Sequence, residues 1–266
     1  MSTELTFLAI AVGNTRTTVA AITCGEVSKQ TAFPSNSIAD IVDAALSFWS
    51  DLDTELGQIV MAATNEEAAK SIADALSDQT SRDIWQIGVD LPVPIGQHLD
   101  PETITGIDRL LNAAAAWDAH QQACVVVDAG TCVTVDFVDG EGTFHGGAIA
   151  PGAQTQLNAM HNDASALPDI TFEAPLKEAF GKNTAQAMLQ GVFQGIRGMV
   201  RQLSEQYAIR YGAYPMVIAT GGDAMVLFDD DELIELIVPD LQLHGMISAV
   251  KHMVSPEEVD AATSDE

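Results

Sequence analysis

Positive charge is scarce in this chain: 11 lysines and arginines stand against 38 aspartates and glutamates, a formal net charge of -27 over 266 residues. Such a surface repels a phosphate backbone, which excludes nucleic acid as a partner, and a solvated exterior suited to a salt-rich cytoplasm is the plainest account of it. Cysteine is scarce as well. Cys24, Cys124 and Cys132 show no Cys-x-x-Cys spacing, which argues against a structural zinc site or disulfide framework and for reduced, mostly buried thiols. The six histidines form no metal-ligand spacing either. No apolar run approaches the roughly 18 residues of a membrane span, and Met1–Asn14 lacks the basic start and small-residue cleavage site of a secretory signal. A cytoplasmic protein with no membrane partner is expected.

The chain does hold enough apolar residues, 47%, to build a substantial core. It also holds one local device twice. Ile10-Ala11-Val12-Gly13-Asn14-Thr15 and Val127-Asp128-Ala129-Gly130-Thr131 each run an apolar strand into a glycine turn and a threonine. Such a turn lets the backbone approach an anion and offers it N–H groups and a hydroxyl. Two turns facing each other would clamp a phosphate, whereas each alone is also what an unliganded hairpin looks like. Aligned on the glycines, the second copy carries Asp128 where the first carries Ala11.

The duplication favours two half-size domains, 1–118 and 119–254, followed by a disordered acidic tail at 255–266. In the first, strands at 5–12 and 17–24 are followed by a helix at Ile38–Trp49, a strand at Gln58–Ala63 and a helix at Glu66–Leu76; a proline-rich loop then leads to a helix at Asp108–His120. In the second, strands at Val125–Asp128 and Thr131–Val138 are followed by a glycine-rich segment, Gly146–Gly152. A long helix at Thr184–Arg210, a strand at Met216–Ala219 and a short acidic helix at Asp229–Leu236 come next. Gly191, Gly195 and Gly198 share one face of the long helix, where close contact by another element is possible.

Three glycine turns supply candidate phosphate ligands: Gly13, Asn14, Thr15 and Arg16; Gly130 and Thr131; and Thr220, Gly221 and Gly222. Asp128 suits a hard cation shared with the phosphate. Gly106-Ile107-Asp108-Arg109 opens a helix, so Asp108 is either an ordinary first-turn aspartate or a base that takes a proton from an alcohol, with Arg109 forking onto a substrate carboxylate.

In their order these motifs resemble the type III pantothenate kinases of the acetate and sugar kinase, heat-shock protein and actin superfamily. The matching stretches also include Gly146-Gly147-Ala148-Ile149-Ala150-Pro151-Gly152, Gly181-Lys182-Asn183-Thr184 and Pro239-Asp240-Leu241. The resemblance implies an α/β fold of two similar actin-like (ribonuclease H-like) domains, each a mixed β-sheet flanked by helices. It implies a homodimer that uses ATP, Mg2+ and a monovalent cation, K+ or NH4+, to phosphorylate pantothenate on the path to coenzyme A. Asp108 then matches the proton acceptor, Gly106, Ile107 and Arg109 match pantothenate contacts, Asp128 the monovalent-cation ligand, and Thr184 a residue reaching the partner's pocket. Three departures stand out. Ala11 replaces the aspartate of the first phosphate motif, His98 or Leu99 stands where a tyrosine is expected, and Ala62-Ala63-Thr64 replaces a serine-rich strand end. The alternative to an active kinase is therefore an impaired or non-catalytic binding homologue on the same scaffold.

Overall fold

A computed structural model describes residues 5–52 and 57–254, so the acidic tail at 255–266 lies outside the described residues. Contacts divide the chain into two units, one formed by Met1–Pro94, Ile104–Ala115 and Gln242–Glu266, the other by Ile95–Thr103 and Ala116–Leu241. Each is built on one mixed sheet.

In the first unit the strands are β1 (Phe7–Val12), β2 (Arg16–Thr23), β3 (Glu26–Pro34), β4 (Gln58–Ala63) and β5 (Ile84–Gln86), in spatial order β3-β2-β1-β4-β5. β1 to β3 form an antiparallel meander, and β4 and β5 add in parallel. Every residue of β1 is buried because the sheet is covered on both faces. Phe7, Ala9 and Ala11 face a cluster completed by Leu111, Leu243, Met246 and Val250. Leu8, Ile10 and Val12 face the opposite cluster, with Ile41, Trp49, Ile72 and Leu76 of α1 (Ile38–Asp51) and α2 (Glu66–Thr80). Asn65 caps α2 by accepting from the Ala68 N–H.

The second unit repeats the pattern. Its sheet runs β11-β10-β7-β8-β9-β6, from β6 (Gly96–Gln97), β7 (Cys124–Ala129), β8 (Cys132–Val138), β9 (Thr143–Pro151), β10 (Met216–Thr220) and β11 (Leu236–Ile237). Again a three-stranded meander, β7 to β9, is extended in parallel, here by β10 and β11. α4 (Ala153–Asp163) and α5 (Thr184–Tyr211) cover one face through Leu157, Met188, Val192, Ile196 and Val200.

Several expectations are corrected. The acidic helix expected at Asp229–Leu236 is absent: the helix is α6 (Ala224–Phe228), whose Ala224, Leu227 and Phe228 are buried, and Asp231 is instead held by Arg197 and Arg201. The glycine-rich segment from Gly146 lies in β9, where Gly147–Pro151 pair with β8. α7 (Leu241–Val254), expected in the second domain, contributes to the first unit, and 95–103 to the second. Of the thiols only Cys124 is buried, and burial pushes its pKa up to about 12, while Cys24 and Cys132 are exposed.

Candidate active site

In the first unit the opening turn is a braced hairpin. The Gly13 N–H donates to the Arg16 carbonyl at 3.0 Å. The Ser35 hydroxyl donates to the Gly13 carbonyl at 2.7 Å and meets the buried Thr17 hydroxyl at 3.0 Å, while the Ser35 N–H donates to the Thr15 carbonyl. Asn14, Thr15 and Arg16 are exposed beyond this brace. Thr17 and Ser35 escaped the sequence reading, since Ser35 lies outside the motif that it holds.

The Gly-Ile-Asp-Arg segment opens α3 (Ile107–His120). The half-buried Asp108 carboxylate turns back on its own helix start, with Oδ1 accepting from the Arg109 N–H at 2.9 Å. A Cβ at Gly106 would stand 2.6 Å from that oxygen, so the carboxylate takes up the space that a side chain at 106 needs. One turn on, Leu111 packs into the cluster that contains Ala11, so the first-motif strand and the Asp108 helix share one core.

Two of the expected groups meet in the second unit. Parallel pairing of β10 with β7 sets Thr220 opposite Asp128. Gly221, at a φ of +95°, then turns so closely that a Cβ would lie 2.5 Å from Asp128 Oδ1 and against the Ala129 carbonyl oxygen. Only glycine fits this backbone. Asp128 Oδ1 and the Ala129 carbonyl oxygen, which accepts from the Asp223 N–H at 2.9 Å, thus both lie against Gly221, and a carboxylate oxygen of that kind suits a hard cation.

The neighbouring turn is closed by the Gly130 N–H donating to the Cys132 carbonyl at 2.9 Å. It is held to the start of α4, where the Gly152 N–H and the Thr155 hydroxyl both donate to the Thr131 carbonyl, at 2.9 and 2.8 Å. In both turns the glycine N–H therefore closes the hairpin, which corrects the expectation that it is offered to a phosphate. Thr220 is buried, its hydroxyl accepting from the Leu241 N–H at 3.4 Å. Thr184 is exposed at the start of α5, whose cap is Asn183, accepting from the Gln186 N–H at 2.9 Å.

His98 directly follows β6, the edge strand of the second unit's sheet. Its backbone N–H donates to the Phe144 carbonyl at the beginning of β9, and its ring meets that of His145. Leu99 lies alongside Gly146.

The doubled meander-plus-parallel sheet, with a glycine turn at the same hairpin of each, defines an actin-like two-domain fold. Solved structures of that architecture align along the chain: a conserved putative Baf family transcriptional activator from Campylobacter jejuni (TM-score 0.62, 20% identity, 93% of this chain and 98% of that one), and MreB 5 of Spiroplasma citri bound to AMPPNP (TM-score 0.51, 10% identity, 96% and 98%). In sequence, the chain is 33% identical to a type III pantothenate kinase from Ruegeria pomeroyi over 253 residues, 92% of this chain and 96% of that protein. The family model of type III pantothenate kinase matches residues 7–206, and the chain belongs to that family.

Proposed function

We propose that the protein transfers the γ-phosphoryl group of ATP to the primary alcohol of pantothenate, giving 4'-phosphopantothenate. Family membership gives the reaction class, and the observation that carries the reading is the intact Gly106-Ile107-Asp108-Arg109 start of α3 with its carboxylate half-exposed. Asp108 accepts the proton of the hydroxyl as its oxygen attacks the γ-phosphorus. The bond from that phosphorus to the β,γ-bridging oxygen breaks, and ADP leaves. Arg109 forks onto the pantothenate carboxylate. Gly13, Asn14, Thr15, Arg16, Gly130, Thr131, Thr220, Gly221 and Gly222 line the nucleotide, with Asn14, Thr15 and Thr131 as the phosphate donors of the two hairpins.

Magnesium on the phosphates and a monovalent cation, K+ or NH4+, at Asp128 would neutralise charge developing on the transferred group. The Asp128 oxygen beside Gly221 supports the latter assignment. A homodimer completes the pantothenate pocket, with Thr184 reaching across. Supporting it, a Cβ at Gly191, Gly195 or Gly198 on α5 would meet nothing within 4 Å, an open strip on which a second copy can lie. His98 lines the same pocket in place of the expected tyrosine. We place the reaction in the cytoplasm; among the described residues no helix is long and apolar enough to cross a membrane.

Replacing Asp108 tests this reading. With ATP, Mg2+, K+ and pantothenate, Asp108→Asn is expected to lower kcat by roughly 10²–10⁴-fold while the thermal midpoint stays unchanged, because a general base contributes about that factor. Undiminished turnover would remove Asp108 as the base. The second reading, an impaired homologue, is favoured by one observation: Ala11 is buried at the end of β1, with no carboxylate in the first motif.

A further inference from the structure

The second unit also holds a cavity of about 540 Å³, within the range of about 300–1,000 Å³ that small-molecule sites occupy. Phe137, Asp139, His145, Tyr207, Arg210 and Tyr211 line it, and His98, given above to the pantothenate pocket, borders it as well. The seven residues of β8 separate the Gly130 turn from this end of the sheet, where Phe137 and Asp139 stand. The apolar wall is built around Phe137. The ring centroids of Tyr211, His145 and Tyr207 lie 5.3, 5.7 and 6.0 Å from that of Phe137, each ring tilted against it. Such a wall offers ring faces and edges to a flat, unsaturated ligand.

Most polar groups of the cavity are already committed. Asp139 Oδ1 accepts from the Glu141 and Thr143 N–H groups at 3.0 and 2.9 Å, and its Oδ2 lies 2.7 Å from His145 Nε2. The other ring nitrogen of His145 shares a hydrogen bond with His98 at 3.4 Å. The Tyr207 hydroxyl donates to the Val135 carbonyl at 3.2 Å. The Tyr211 hydroxyl oxygen accepts from the Gly140 N–H at 3.2 Å, which leaves its own proton to give. The Arg210 guanidinium has no acidic partner among the described residues, in a chain where 38 acidic side chains stand against 11 basic ones. What remains to meet a ligand is a pair of donors, one of them charged.

We propose that this cavity binds a small aromatic carboxylate, its ring against the Phe137 wall and its carboxylate on the Arg210 guanidinium and the Tyr211 hydroxyl. The planar fork of arginine matches a carboxylate in two parallel hydrogen bonds. A cationic ligand is disfavoured, because Asp139 already holds three donors. A wholly apolar ligand would cover the guanidinium without giving it an acceptor, which costs free energy. The net charge of -27 repels anions over the rest of the surface, so a carboxylate is drawn here by a local cation. No sequence spacing reveals the site, because β8, β9 and the end of α5 bring its residues together from distant positions. It does not rest on the kinase reading.

The test is a ligand-detected NMR titration of the full chain with 2-naphthoate, and with its uncharged counterpart 2-naphthamide, in the absence of ATP and pantothenate. One saturable site for the carboxylate is expected, with the amide bound about 10–100-fold more weakly. Arg210→Gln weakens the carboxylate by the same factor of about 10–100, and Tyr211→Phe, which keeps the ring, by about 2–10-fold. Lys70→Gln and Arg109→Gln remove the same charge elsewhere and leave binding unchanged. Absence of a saturable site, equal binding of acid and amide, or binding that survives Arg210→Gln would overturn the proposal. So would an equal loss in Arg109→Gln, which would place the probe in the pantothenate pocket. Turnover of Asp108→Asn is read separately, so the two readings stand or fall independently.

Discussion

At position 11 a single methyl group stands where the family resemblance places a carboxylate. Ala11 is 6% exposed and pairs with Thr18 on one side and Ala62 on the other. The second departure, Ala62-Ala63-Thr64, is thus the neighbour of the first: two adjacent strands have lost polar groups together. Ala11→Asp is accordingly expected to have two separable effects. Stability should fall by about 1–3 kcal/mol, because the new group is buried beside apolar neighbours. Turnover at saturating ATP and pantothenate should rise on the order of 10²-fold, the usual worth of one preorganised polar group at a phosphate. Denaturant melts measure the first and steady-state kinetics the second. A kcat that does not move would mean that this chain has shifted the work of the missing aspartate elsewhere, and the impaired reading would fall with it.

The elements differ in how openly the sequence announced them. β4 was legible as Gln58–Ala63 and β10 nearly so, because a short apolar run between turn signals has few other uses. β3 was not: its burial pattern is mostly exposed and its composition polar, as an edge strand's can be, and only pairing with β2 reveals it. β9 was hidden by its glycines, whose reason lies on other strands. α7 was misassigned because sequence proximity to β10 says nothing of where Leu243, Met246 and Val250 find an apolar face. Of the site, the glycine turns and Asp108 were readable from motif order, while the Ser35 and Thr155 braces and the His98–His145 pair were not, since each joins residues distant along the chain. The placement of α7 makes a prediction at this scale. Met246 is fully buried in the first unit's cluster, so Met246→Ala should cost about 2–5 kcal/mol, read as a lowered denaturant midpoint. A cost within experimental error would mean that α7 is not part of that core.

For the molecule as a whole, the net charge of -27 sets the terms of stability. Self-repulsion among surface carboxylates opposes the compact state and is screened over about 10 Å at 0.1 M salt but about 3 Å at 1 M. The thermal midpoint should therefore rise steadily as KCl is raised from about 0.1 to about 1 M, and a midpoint that falls would contradict the salt-adapted account. The division of the chain carries a different consequence, concerning order in time. The first unit is discontinuous: its sheet is complete by β5, yet α7, which together with Leu111 of α3 covers one face of β1, begins only at Leu241. A ribosome delivers the whole of the second unit before that helix exists. During synthesis the later unit can close first, while the earlier one waits without Leu243, Met246 and Val250 over Phe7, Ala9 and Ala20, so the nascent chain's exposure to aggregation is set by α7 rather than by its first strands.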